Sequence, residues 1–164
     1  MQLGRDGKWF MQMTAEYLQC AQLLLEQHRL VLEDDDPDDQ IEVLEERFII
    51  LWDRLDDDQH KSLNGLSSDL AWLRRGGQNP PMGRKPEDVS KEDGFALVES
   101  ERVGDWHSHL HAIRLCRVRY SPGEVAMRRA SAYSELGLFE VAALFREFAG
   151  NCGEPKWNFE ANYG

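Results

Sequence analysis

Apolar residues recur three or four positions apart along most of this chain. That period commits each such stretch to an α-helix with one face turned to a core. Between Trp9 and Leu32 the stripe runs through Phe10, Met13, Tyr17, Ala21, Leu24, His28 and Val31, which predicts the longest helix. An acidic run, Glu33 to Asp39, ends it with six acids in seven residues. Within the run, Asp36 offers an N-cap, Pro37 suits the first helical position, and Asp38 and Asp39 are favoured by the helix dipole, so a second helix starts there. Ile41, Leu44, Phe48, Leu51 and Leu55 carry it, while Val43, Ile49, Ile50 and Trp52 widen its apolar face enough to predict contacts on two sides and a central place. Asp56 to Asp58 offer the next cap, and Leu63, Leu66, Leu70 and Leu73 form a third stripe, closed by Arg74-Arg75 and Gly76-Gly77. Joined by short turns, these helices predict a three-helix bundle lobe over residues 1–75, with Trp72 capping its core or lying at an interface.

Residues 76–89 contain three prolines and three glycines with no periodicity, and read as a loop or linker. Beyond it, Ser90 and Asp93 make an approximate capping box for a helix that carries Phe95, Leu97, Val98 and Val103 and ends at Gly104. Asp105 caps the next, with Trp106, Leu110, Ile113 and Cys116 at helical spacing to about Val118. Ser121, Pro122 and Glu124 form the sharpest start signal in the chain, for a helix that ends at Gly137. A last helix, Phe139 to Ala149, carries Phe139, Ala142, Ala143, Leu144, Phe145 and Phe148. Residues 153–164 add an aromatic tail, Trp157, Phe159 and Tyr163, predicted to pack back on the helices because isolated aromatics gain by burial. The fold class is all-α, with about seven helices.

Gly104 and Gly137 break two successive helical hairpins 33 residues apart. From Ala130 to Ala149 the chain resembles a tetratricopeptide repeat, whose period is ~34 residues. Ala130 stands at the small helix-contact site, Tyr133 one turn later, Gly137 at the turn, Phe139 after it, then Ala142 and Ala149, with Pro155 near the terminal proline. Arg146 departs from the pattern, standing where the family prefers an aromatic. The preceding unit, Lys91 to Cys116, keeps Gly104, Trp106 and the small Cys116, but has the bulky Leu97 and His109 at small-residue sites. Residues 1–75 do not share the pattern. Where the resemblance holds, the first helix of each hairpin lines a concave groove, which implies that Val98, Glu101, Arg102, Met127, Ser131 and Ser134 face a peptide or partner helix.

Lysine and arginine number 19 against 30 acids, a formal charge of −11 that repels phosphate backbones and anionic lipid. The local concentration of Arg114, Arg117, Arg119, Arg128 and Arg129 is expected to pair with surplus acids rather than to hold nucleic acid. The acidic run lacks the spaced ligands and central glycine of a calcium loop and reads as a solvated turn. Cys20, Cys116 and Cys152 form an odd set without a C-x-x-C pair, which predicts structural thiols in a reducing compartment. No apolar region follows Arg5 and Lys8, and no apolar stretch approaches the ~18 residues of a membrane span, so a cytoplasmic location is expected.

His107 and His111 are four apart on one predicted helix face, the spacing of a metal-binding pair, with His109 pointing elsewhere. No H-e-x-x-H arrangement, neighbouring glutamate or cysteine pair accompanies them, so these are weak metal candidates and no cofactor is expected. No nucleophile elbow and no glycine-rich phosphate loop is present, and no pair of acids stands out as acid and base. The sequence therefore predicts a non-enzymatic protein- or peptide-binding scaffold, with a small acidic chaperone as one version. The alternatives are an acidic nucleic-acid-mimicking inhibitor and a metal-dependent enzyme built on the histidines.

Overall fold

Seven helices and one short two-stranded ribbon make up the described residues of the computed structural model, which are 2–3 and 9–10 by backbone alone, 12–78, 90–116 and 120–152. The chain divides into two compact units, Met1–Gly76 and Gly77–Gly164.

In the first unit, β1 (Gln2–Leu3) pairs antiparallel with β2 (Trp9–Phe10), Gln2 opposite Phe10 and Leu3 opposite Trp9. The predicted first helix is thus too long at its start. The helix α1 is Ala15–Glu33, because Thr14 takes the cap position and its hydroxyl accepts the Tyr17 N–H. Phe10 belongs to the ribbon, and Met13 precedes the cap. The buried side of α1 is Tyr17, Cys20, Ala21, Leu23, Leu25 and His28, whereas Val31, at the end of the predicted stripe, is exposed.

Helix α2 (Asp38–Trp52) starts just after the expected point, with Pro37 at the cap position in helical geometry and no side-chain cap. Its predicted central place is overturned. Leu44 is its one buried residue, and Ile49 and Ile50 are 62% and 61% exposed. Helix α1 instead lies between its neighbours, packing on both α2 and α3 (Asp57–Arg74). The apolar face of α2 is wider than one partner can cover, and only the side toward α1 is used.

Asp56 accepts the Gln59 N–H at 2.8 Å while Gln59 Oε1 accepts the Asp56 N–H at 2.9 Å, a reciprocal capping box. Gln59 Nε2 donates as well to the Gln12 carbonyl at 3.0 Å and to Thr14 Oγ1 at 3.1 Å, so one buried amide ties the start of α3 to the start of α1. Gln59→Ala is expected to lower stability by about 2 kcal/mol in urea unfolding, through the lost cap and the unpaired groups left behind. A loss within a few tenths would show that the tie carries nothing. In the first turn of α3, His60 stacks on Trp52 at 3.9 Å between centroids and its Nε2 donates to the Trp52 carbonyl, which closes the α2–α3 turn. Leu63, Leu66 and Leu70 are buried as predicted, Trp72 is buried too, and Tyr17 Oη meets Ser62 Oγ at 2.7 Å between α1 and α3.

The second unit opens at Gly77. Its φ is +79°, and an added Cβ would stand 2.7 Å from the Phe148 ring, so only glycine fits there. The remaining part of the predicted linker, residues 79–89, lies outside the described residues, as do residues 117–119 and the aromatic tail with Pro155. Ser90 and Asp93 form the expected capping box on α4 (Lys91–Val103). Asp105 caps α5 (Trp106–Cys116) through the Ser108 N–H and hydroxyl. Ser121 caps α6 (Pro122–Glu135), and α7 (Phe139–Cys152) runs one turn past the predicted end.

The two hairpin turns share one hydrogen-bond pattern. At the first, Gly104 N–H donates to the Glu101 carbonyl and Asp105 N–H to that of Ser100. At the second, Gly137 N–H donates to Ser134 and Leu138 N–H to Tyr133. Both glycines are left-handed, with φ of 74° and 86°. Helix α4 pairs with α5 and α6 with α7, while α5 also packs on α6. Fully buried Ala126, Ala130 and Ala142 accompany the close approach of α6 and α7, and Tyr133 stacks on Phe145 at 5.7 Å across that pair.

Candidate functional site

The six predicted groove residues fall on the first helices of the two hairpins. Val98, Glu101 and Arg102 are on α4, and Met127, Ser131 and Ser134 are on α6. One face of each helix turns inward, through Leu97 and Ser100 on α4 and Ala126, Ala130 and Tyr133 on α6, which leaves the six on the outer sides. Val98 is 66% and Met127 49% exposed, Glu101, Arg102 and Ser131 are exposed, and Ser134 is half-buried. Phe95, one turn before Val98, is exposed as well. Arg102 is engaged along its own helix by the Glu99 carboxylate, its Nε donating at 2.9 Å, and this pairing holds the Glu99 carboxyl below its usual range.

Between these helices His109, on α5, is a structural group. Its Nδ1 lies 3.1 Å from both the Leu97 carbonyl and Ser100 Oγ, and the Trp106 ring meets it edge-on. Burial lowers its pKa first of all. Glu101 and the bond to Leu97 oppose that, and Arg128 adds to it.

His107 is buried and His111 exposed, and among the described residues no three His, Cys, Asp or Glu converge as metal ligands. The four-residue spacing puts both on one helix, but at different depths. The arginine concentration disperses. Arg128 pairs with Glu124 at 3.2 Å and covers the Tyr120 ring, Arg114 donates to Tyr133 Oη, and Arg129 is buried with its guanidinium 6.0 Å from the Phe145 ring centre. Arg117 and Arg119 lie outside the described residues. The three cysteines form no disulfide, Cys20 and Cys116 being buried and Cys152 exposed, and burial pushes the Cys20 thiol up.

A further surface escaped the sequence reading. Along the α1–α2 hairpin an open groove runs in two stretches, one by Leu30, Val43 and Leu44 toward the turn, the other by Leu23, Ile50 and Leu51 toward the open end. Glu26 and Arg47 border both stretches. The signal was the excess apolar width of α2, read as a second packing contact when it is an uncovered face.

Among the described residues no helix is long and apolar enough to cross a membrane. No protein-family model, no curated protein and no solved structure matches this chain.

Proposed function

We propose that this chain is a non-enzymatic protein- or peptide-binding scaffold of tetratricopeptide-like helical hairpins, with the outer face of α4 and α6 as its docking surface. The observation that carries the reading is the exposure of two large apolar side chains, Val98 and Met127, on the first helices of successive hairpins, with Glu101 and Arg102 beside Val98. Large apolar groups on a polar rim are what a partner segment buries. The shared glycine turn 33 residues apart supports the repeat reading, since it gives both hairpins the same entry into their second helix.

The surplus of acids suits a protein partner better than nucleic acid, which a net charge of −11 repels. A small acidic chaperone in a reducing cytoplasm is the version most in keeping with that charge and with three cysteines outside disulfides. A nucleic-acid mimic would present acids alone, whereas the acids of α2 alternate with exposed Val43, Ile49 and Ile50.

The test is recovery of partners on an affinity-tagged chain from its native cells, at low and moderate salt, by mass spectrometry. One stoichiometric protein is expected, with recovery cut about tenfold or more by Met127→Glu or Val98→Glu at unchanged helical circular dichroism. Undiminished recovery by both variants, or bound metal with no protein, contradicts the reading.

A further inference from the structure

We propose that the α1–α2 groove is a second docking site, independent of the α4–α6 face, which takes a basic amphipathic helix of about four turns from another protein. Three observations define that occupant. The groove follows α1 from Gln19 to Glu33, which at 1.5 Å per residue is about 21 Å, the length of a helix of roughly 14 residues. Its walls are uncovered, with Val43 49% and Ile50 61% exposed beside the deeper Leu23 and Leu44. A helix laid between α1 and α2 covers both walls along their whole length.

The apolar stretches are separated by Glu26 and Arg47, one from each helix. An occupant that matches them carries apolar anchors toward both ends and a polar side chain at its middle.

Charge selects the partner. From residue 15 to residue 53, the hairpin with its turn, twelve acidic side chains stand against two arginines, Arg29 and Arg47. Both arginines line the groove beside Glu26 and Glu33, and the acidic surplus lies at the turn end, Asp34 to Asp39, and at exposed Glu42, Glu45 and Glu46 of α2. A lysine-rich helix is drawn to this surface and held in register by its rim. A second copy of the chain brings the same acids to the same face, so like charges oppose pairing through it. Exposed Ile50 and Val43 set the site apart from an acidic run that merely keeps a turn in water.

The experiment titrates the full chain into a fluorescein-labelled peptide of about 15 residues, leucines on one helical face and lysines elsewhere, and follows anisotropy. The controls are a leucine–glutamate peptide of the same pattern and a scrambled leucine–lysine peptide. One-to-one saturation by the patterned lysine peptide is expected. Val43→Ser with Ile50→Ser is expected to weaken it about tenfold or more, while Val98→Glu leaves it unchanged. Both serines replace exposed groups, so the fold is kept and circular dichroism confirms it. Equal binding by the scrambled peptide shows attraction by charge alone and overturns the proposal. So does equal binding by the double variant, absence of saturation, or a dimer in sedimentation that Ile50→Ser splits.

Discussion

Phe145→Ala is expected to lower the unfolding free energy of the Gly77–Gly164 unit by about 3–5 kcal/mol, the range for deleting a buried phenyl ring and leaving a cavity. Phe145 is fully buried at the contact of α6 and α7, stacked on Tyr133 with its ring 6.0 Å from the Arg129 guanidinium. Truncation removes the ring from both neighbours at once. Stacking and cation–π contact add to the area term, and both depend on α7 holding its register against α6. Urea unfolding followed by far-ultraviolet circular dichroism measures the loss, and hydrogen exchange shows whether it centres on α6 and α7. A loss under about 1 kcal/mol would mean that the small residues Ala126, Ala130 and Ala142 hold the pair without the ring.

The first unit is expected to lose stability as pH falls from about 6.5 toward 4, through His28. Its ring is buried, and its Nδ1 accepts a hydrogen bond at 3.0 Å from Arg74 Nη1, which requires the neutral imidazole. Burial, then Arg74 and Arg29, lower its pKa from the usual 6.5 to about 4. Folding therefore favours the neutral form. The stabilisation is fully present above the unfolded pKa of 6.5 and is lost progressively as pH falls to the folded value of about 4. The whole span is worth on the order of 3 kcal/mol, of which about 2 kcal/mol is gone by pH 5. His28→Gln keeps a hydrogen-bond acceptor without the titration. The difference between wild type and His28→Gln, measured at pH 7 and pH 5, isolates this group from the many carboxylates that titrate nearby. Parallel stability curves for the two proteins would contradict the assignment.

The starts of α3 to α6 were legible because their signals are local. Asp56, Ser90, Asp105 and Ser121 each cap the helix that their position predicts, and Gly104 and Gly137 end theirs in the left-handed conformation. Tertiary placement was not local, and there the reading failed. Val43, Ile49 and Ile50 have the composition of a core, but whether a second partner covers α2 depends on where α3 goes, and α3 packs on α1. Phe10 fits the period of α1 equally well, yet Thr14 starts the helix after it and the ribbon takes Trp9 and Phe10. Periodicity fixes a face and leaves open what meets it.

For the candidate residues the pattern gave the helix and the side, and nothing of what meets them. Val98, Glu101, Arg102, Met127 and Ser131 lie exposed on the first helices of their hairpins, while Ser134 is half-buried and lends its carbonyl to the Gly137 turn. Spacing could not tell that His107 is buried and His111 exposed, because a four-residue step keeps two side chains on one helix without saying how far the neighbouring helix reaches.

The most direct test of the docking surface is amide hydrogen exchange on the tagged chain, free and in the complex it recovers. The account predicts slowed exchange in the turns of α4 and α6 that carry Val98 to Arg102 and Met127 to Ser134, lost again with Met127→Glu. A complex that leaves the exchange of both helices unchanged would contradict it.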